Sequence, residues 1–458
     1  MVGLARAGEA AVRALHGRGE TVGGFDLFSW RDSRAVAEAI EARGGHVQLG
    51  SAPDPAALLD LAPRPAAVVK SPGVPPGTEP VATTLRRGRP VLDELELGWR
   101  LDPRPVVAVT GTNGKSTVCA LLMDLLAAAG RQPVLAGNTS FGPPLSAARD
   151  VEGDTLVLEV SSNQLEGCSA FAPELGVHTG LSPDHLRRHG SMQRYGEAKR
   201  RMFFGRGTPV ARAVVRDDEA GRRLARDLRE VGSEVVTFGH GPGADVRAGE
   251  LGVSTPLIGA HNALNVAAAV AVGKLLEIDP GTVAEALAAS GRVPGRLERI
   301  DHPGGFEAYV DYAHNPDGVG AVLTALRALA RGRLVVVMSA PVTGAQEQRD
   351  MGLEAARRAD LLVLTTERFL PSAPLAPPAE LLEGAAEASV EVVEGRGRAI
   401  VRGVELCRPG DVLAVLGRGS NNGPLYESDP DSAAPFDDRE QLRAALARRG
   451  GLTPGPGT

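Results

Sequence analysis

The run Val106-Val107-Ala108-Val109-Thr110-Gly111-Thr112-Asn113-Gly114-Lys115-Ser116-Thr117 constrains the fold more than any other part of this chain. An apolar strand enters a glycine-containing turn, and then Val118, Leu121, Leu122 and Leu125 recur at the spacing of one helix face. A buried strand passing through a tight turn into a helix is the opening unit of a parallel α/β layer. Glycines let backbone N–H groups close around phosphate oxygens, and the helix N-terminus adds its positive dipole. Gly111, Thr112, Asn113, Gly114, Lys115, Ser116 and Thr117 therefore predict a phosphate loop for ATP. Lys115 would reach the β- and γ-phosphates, and the Ser116 hydroxyl would bind Mg²⁺. The strict pattern wants glycine where Val109 stands, so this loop is a shortened variant.

Strand-like and helical runs alternate through the rest of the 458 residues, which predicts an α/β protein with mainly parallel sheets. Length alone suggests roughly three domains. The first block, 1–100, holds short units such as a strand over 20–26 and a helix over 33–42. The second, 101–295, opens after the proline-rich break Leu101-Asp102-Pro103-Arg104-Pro105. The third, 296–449, follows Arg292-Val293-Pro294-Gly295 and contains strands over 306–312, 333–338, 360–365 and 411–416. The Gly- and Pro-rich tail, 450–458, reads as disordered. In the first block, Gly3-Leu4-Ala5-Arg6-Ala7-Gly8 reads as a strand-to-helix phosphate turn with Ala5 at the middle glycine position. Only Met1-Val2 precedes it, so either the true start lies upstream or the first strand is nearly missing.

Composition excludes several classes. No apolar run reaches the roughly 18 residues of a membrane span, and the start lacks the basic-then-apolar pattern of a signal peptide. Cys119, Cys168 and Cys407 are far apart, which argues against a disulfide scaffold or structural zinc and suits the cytoplasm. A net charge of −6 gives no general footprint for nucleic acid. Among 50 basic residues only Lys70, Lys115, Lys199 and Lys274 are lysine, leaving 46 arginines. A lysine kept against that bias is a candidate for chemistry that the delocalised guanidinium cannot perform.

Four further segments carry polar groups at informative places. In Thr155-Leu156-Val157-Leu158-Glu159-Val160-Ser161-Ser162-Asn163-Gln164-Leu165-Glu166, a strand ends in a carboxylate and a polar cluster. Glu159 is there either a Mg²⁺ ligand or a helix cap. Asp184 and His185 follow a turn, as metal ligands or as loop residues bonded locally. Beyond them Met192, Tyr195, Lys199 and Met202 share one helical stripe, so Lys199 faces the core while its arginine neighbours face water. Burial favours a neutral amine able to take up CO₂ as an anionic carbamate; a snorkelling lysine is the alternative. Asn262 and Asn265 lie three apart at the start of a long alanine-rich helix, facing a nucleotide base or, for Asn262, capping the helix. Arg296 would neutralise a transferring phosphate and Asp311 would accept ribose or adenine hydrogen bonds, a surface ion pair being the alternative for each.

The order and spacing of these motifs, with Asp311-Tyr312-Ala313-His314-Asn315-Pro316, resemble the Mur ligase family, ATP-dependent enzymes that extend the peptide of the bacterial cell-wall precursor. The turn at 3–8, Ser71-Pro72-Gly73-Val74-Pro75, Ser161–Glu166 and Ser182–Leu186 look like its glutamate-adding branch. The third block departs: Asp311–Pro316 and Pro435-Phe436-Asp437-Asp438-Arg439-Glu440 look like the branch adding the third residue (diaminopimelate or lysine). Yet Thr366-Glu367-Arg368-Phe369 and Gly417-Arg418-Gly419-Ser420-Asn421 replace two motifs of the diaminopimelate-adding enzymes.

The resemblance implies three domains: an N-terminal Rossmann-like UDP-binding domain, a central P-loop ATPase-like parallel sheet and a C-terminal Rossmann-like domain. It implies ATP and Mg²⁺ as cofactors, and a UDP-MurNAc-peptide and an amino acid, most naturally glutamate, as substrates. It implies a cytoplasmic monomer without nucleic-acid or membrane partners. Transfer of the γ-phosphoryl to a carboxylate would give an acyl phosphate for the incoming amine to attack. The catalytic set would be Lys115, Glu159, His185 and Lys199. Ser116 and Glu159 would hold one Mg²⁺; His185 and carbamylated Lys199 would hold a second. Asn265, Arg296, Asp311 and His314 would bind ATP, and Asn138, Ser161, Gln164 and Ser71 the sugar-nucleotide substrate. A different amino acid, a role in specialised metabolism, or a non-catalytic nucleotide-binding homologue are the alternatives.

Overall fold

Val106–Thr110 is buried along its whole length between two parallel neighbours, Leu175–His178 and Thr155–Glu159. A computed structural model of the chain describes residues 1–26, 31–50, 66–205, 207–291, 293–340, 343–367, 377–426 and 433–450. Arg292, Arg368, Phe369 and the expected disordered tail from 451 onward lie outside the described residues. The fold is α/β, and the chain divides into two compact units. One comprises Met1–Leu181, Gln193–Val253 and Asn265–Leu287; the other comprises Ser182–Met192, Ser254–Leu264 and Ala288–Thr458.

The first unit contains a seven-stranded sheet in the order Val246–Arg247, Glu234–Gly239, Arg212–Arg216, Leu175–His178, Val106–Thr110, Thr155–Glu159, Pro133–Gly137. All its pairings are parallel. Val118, Leu121, Leu122 and Leu125 of the helix Lys115–Ala128 are buried, as their spacing predicts. Parallel strands buried on both faces read as continuous apolar runs, which is why this sheet was visible in the sequence.

The same unit holds a smaller parallel layer. Gly24–Asp26 pairs with Val47–Leu49, and Val68–Lys70 pairs with Val91–Asp93. Val2 joins the two pairs by parallel bridges to Phe25 and Lys70. Its N–H donates to Val69 O and its carbonyl accepts from Ser71 N–H, both at 2.8 Å. The central position is thus filled by a strand reduced to a single bridging residue. The strand expected over 20–26 shortens to Gly24–Asp26, because its partner offers only three residues for pairing.

Three acids around the helix Glu94–Leu101 tie this layer to the central sheet. Asp93 caps the helix by accepting from Leu95 N–H and forms a buried ion pair with Lys70 at 2.8 Å. Glu94 Oε1 accepts from Ser146 N–H at 2.7 Å and from its hydroxyl at 2.6 Å. Glu96 accepts from the N–H groups of Ser169, Ala170 and Phe171. Burying carboxylates is costly unless their oxygens find donors, and here each acid has donors on a different segment.

The second unit is built on a six-stranded sheet ordered Glu298–Arg299, Glu307–Asp311, Val412–Leu416, Leu334–Met338, Leu361–Leu364, Val390–Val392. Only the first pairing is antiparallel. Leu334, Val336 and Met338 pack in the core on one face, with Val319, Leu323 and Met351; Val335 and Val337 pack on the other, with Ile400 and Leu442. That alternation is the period of two expected for a sheet covered on both sides.

Candidate active site

The phosphate loop is assembled at the C-terminal end of Val106–Thr110, where open α/β sheets bind ligands. Gly111 (φ +143°) and Gly114 (φ +87°) bracket it. A Cβ on Gly111 would lie 2.0 Å from Thr179 Oγ1, and one on Gly114 would lie 2.3 Å from Asn265 Oδ1. The loop is fixed from outside as well: Thr179 Oγ1 donates to Asn113 O at 2.6 Å, and Thr112 Oγ1 lies 3.2 Å from the Tyr195 hydroxyl.

Two ammonium groups converge on one carbonyl of this loop. Lys115 Nζ donates to Gly111 O at 3.1 Å and to Thr112 O at 2.8 Å; Lys199 Nζ donates to Gly111 O at 2.7 Å. Lys199 is 2% exposed, as the helical stripe predicts, and its ammonium also sits 4.6 Å over the Tyr195 ring. These contacts offset the desolvation that an unpaired buried cation would suffer.

Ser116 Oγ donates to Glu159 Oε2 at 2.8 Å. The alternative of Glu159 as a helix cap fails, because the following helix is capped by Ser161. Gln164 N–H donates to Ser161 Oγ, and Ser161 N–H donates to Gln164 Oε1 at 2.9 Å, a reciprocal capping box. Ser161 and Gln164, expected to contact substrate, are thus engaged in ending a turn. Ser71 is likewise engaged, its hydroxyl donating to Gly3 O at 2.9 Å. Asn138 is exposed just beyond the strand Pro133–Gly137, its N–H bonded to Glu159 O. Asn265 faces the loop at Gly114. The alternative of Asn262 as a helix cap also fails: it lies inside the helix Ala260–Leu275, with its side-chain amide donating back to Ile258 O.

A hydroxyl and a carboxylate held together are hard oxygen donors, and Mg²⁺ characteristically takes one or two such protein ligands with phosphates and waters. Ser116 and Glu159 fit that ion. The second expected ion is another matter. Lys199 donates to Gly111 O, and an ammonium cannot ligate a cation; only its carbamate would. His185 belongs to the other unit. Among the described residues, no group of three or more His, Cys, Asp or Glu side chains is arranged to hold a metal.

In the second unit, His185 adopts a left-handed backbone (φ +54°), rare for a non-glycine residue and found where surroundings over-determine the chain. The buried Asp184 carboxylate lies 3.7 Å from His185 Nε2 and 3.9 Å from His314 Nε2, and accepts from Asn315 Nδ2 at 3.4 Å. The Arg296 guanidinium stacks 4.4 Å over Tyr312. Asp311 accepts from Leu297 N–H and Ala313 N–H, both at 2.7 Å. Burial raises its carboxyl above the usual range, and the nearby Arg296 opposes that rise. Asp311 therefore shapes the turn that carries Arg296 and His314, with both oxygens already accepting from the backbone. Neither Asp311 nor Arg296 is the surface pair that the sequence left open.

Sequence reading missed two buried clusters. Lys70–Asp93 with Glu94 and Glu96 had a usable signal, acids alternating with Leu95 and Leu97. In the cluster of Arg396, Arg418, Glu367 and Asp438, the last three fall in segments that the motif comparison singled out, whereas Arg396, which joins them, had no signal in so arginine-rich a chain.

The sequence matches the Mur ligase middle domain over residues 109–273 and the Mur ligase, glutamate ligase domain over residues 295–419. A UDP-N-acetylmuramoylalanine–D-glutamate ligase of Pelotomaculum thermopropionicum is 33% identical over 438 residues, 91% of each chain. A UDP-N-acetylmuramoyl-L-alanyl-D-glutamate–2,6-diaminopimelate ligase of Streptomyces coelicolor is 33% identical over 436 residues, 84% of this chain and 82% of its own. The solved UDP-N-acetylmuramate–alanine ligase of Thermotoga maritima, 18% identical, shares the fold with a TM-score of 0.59 over 98% of both chains. With relatives this similar over most of their length, the chain belongs to the Mur ligase family, ATP-dependent and ADP-forming amide ligases.

Proposed function

We propose that this ligase adds glutamate to UDP-N-acetylmuramoyl-L-alanine in peptidoglycan precursor synthesis, working as a monomer in the cytoplasm. The observation that carries an ATP-driven reaction is the convergence of Lys115 and Lys199 on the Gly111 carbonyl at a helix N-terminus. Lys115 and the helix dipole make an anion-seeking loop, and the contact at Gly111 O puts Lys199 beside it. Lys115 turns from the loop carbonyls to the phosphate oxygens and offsets charge as the γ-phosphoryl moves. Ser116 and Glu159 would hold Mg²⁺, which would supply positive charge to offset that of the phosphates. Lys199, as its carbamate, exchanges a donor for an acceptor beside the loop. In the second unit, Arg296, His314 and His185 carry the remaining roles that the resemblance assigns, and Asp311 positions Arg296 and His314 through the turn it holds, each open to separate mutational test. None of the described helices is long and apolar enough to cross a membrane.

Glutamate is favoured by the first two blocks, which look like the glutamate-adding branch. A diaminopimelate-adding reading has its own support, because a relative of equal identity bears that name. The test is phosphate release from ATP with UDP-MurNAc-L-alanine and, in turn, D-glutamate, L-glutamate, diaminopimelate and lysine. Release with glutamate in either configuration supports the proposal. Release only with diaminopimelate or lysine, or only when the acceptor already carries glutamate, overturns it.

A further inference from the structure

Three adjacent strands of the second unit end at a buried cluster of four charges. Ser339 follows Leu334–Met338, Glu367 lies just past Leu361–Leu364, and Arg418 follows Val412–Leu416. Arg396, at the start of the helix Arg396–Leu406, reaches into the same place and is fully buried. Its Nε and Nη2 donate to the two oxygens of Asp438 at 2.7 and 2.6 Å, a bidentate pair of ideal length. Its Nη1 donates to Ser339 Oγ at 2.9 Å and lies 3.2 Å from Glu367 Oε1. Glu367 Oε2 lies 3.5 Å from Arg418 Nη1, and Glu367 Oε1 accepts the Ser339 hydroxyl. Arg418 is otherwise anchored by its Nη2 on the carbonyls of Asn421, Gly423 and Phe436.

The two carboxylates are held unequally. Asp438 is locked by two short bonds, whereas Glu367 spans two guanidinium groups at 3.2 and 3.5 Å. Two buried cations require two buried anions, so Glu367 can leave only if another carboxylate enters. The cluster lies at the carboxyl ends of the strands, where ligands of open α/β sheets bind. Glu367 also presents a carboxylate on a stem of two methylenes, the same group as the side chain of free glutamate.

We propose that Glu367 is a specificity-determining residue of the amino-acid step: it occupies, between Arg396 and Arg418, the place that the side-chain carboxylate of the incoming glutamate takes. The proposal rests on the glutamate reading above. Exchange of one carboxylate for another keeps the cluster neutral, so an amino acid with an amide or ammonium at that position is rejected. Displacing Glu367 lowers the apparent affinity for glutamate, and that cost is what the experiment reads.

Glu367→Gln keeps the size and the Ser339 contact while removing the charge. Its KM for glutamate is expected to fall about tenfold, with the KM for ATP unmoved. Glu367→Asp, a milder change that withdraws the carboxylate by one methylene, moves the KM in the same direction. Glutarate, which lacks the amine, is expected to bind the Gln variant about tenfold more tightly than wild type by calorimetry. A KM for glutamate unchanged or raised in both variants, with wild type active, overturns the proposal. Wild type that releases no phosphate with either glutamate enantiomer overturns the glutamate reading instead. Glutarate binding then decides the carboxylate exchange separately, and equal binding to wild type and variant refutes it.

Discussion

Glu94 offers the most quantitative test of how the first unit is held together. The residue is 1% exposed, and burial pushes its carboxyl from 4.5 to about 7. The Ser146 hydroxyl and N–H oppose that rise, as does the Arg6 guanidinium, while the charge of Asp93 adds to it. Arg6 reaches the same region, its guanidinium donating to Thr139 O at 3.0 Å and to Gly142 O. The unfolded chain gives up the Glu94 proton near 4.5, but the folded chain keeps it until about pH 7. The folded state therefore binds more protons across that window, and stability falls as pH rises through it. A shift of that size is worth about 3 kcal/mol, lost by pH 8 and fully present below pH 4.5.

Glu94→Gln removes the titration and keeps an acceptor for Ser146. At pH 5, where folded Glu94 is still protonated, the variant is expected to be close to wild type in stability, since the amide keeps a carbonyl acceptor for Ser146 and places an NH₂ group where the acid's second oxygen stood. At pH 8 the variant is the more stable, and the change between the two pH values is about 2.5 kcal/mol, because part of the loss has already occurred by pH 5. Urea unfolding followed by tryptophan emission reads the relevant region, because Trp99 lies on the same helix with its ring 5.9 Å from Phe171. Because the molecule has two units, the comparison is made only on the transition that Trp99 reports. Parallel pH profiles for wild type and variant would falsify the assignment, since Glu94 would then be ionised at ordinary cost.

Other substitutions test the phosphate loop. Lys115→Ala is expected to abolish phosphate release while leaving the urea midpoint unchanged; turnover within about tenfold of wild type, a barrier change near 1.4 kcal/mol, contradicts its role. Glu159→Gln is expected to shift the Mg²⁺ titration to higher concentration, and an unshifted titration removes Glu159 from the metal site. Lys199→Ala is expected to be nearly inactive and partly rescued by a short carboxylic acid, with Lys199→Arg inactive; an active arginine variant sinks the carbamate and leaves Lys199 as a plain cation.

What could be read from the sequence divides by the range of the interaction concerned. The glycine turn at 111–114, the apolar strands of both sheets and the stripe carrying Lys199 depend on periods of two and 3.6, so one stretch of chain contains the whole signal. Ser161 and Gln164 show how one local signal carries two readings: Ser-x-x-Gln at the end of a strand is itself the pattern of a capping box, and the box is formed by the side chains that the resemblance assigns to substrate. Pairings across long separations left no such trace. Arg396 and Asp438 are 42 residues apart, and in a chain with 46 arginines no single one stands out. The lysines did stand out, for the opposite reason. Lys115 and Lys199 meet on one carbonyl and Lys70 is buried against Asp93, while Lys274 alone of the four is exposed. Where composition makes arginine the default cation, three of the four retained lysines place a compact ammonium against a loop carbonyl or a buried carboxylate, positions with little room for the wider guanidinium.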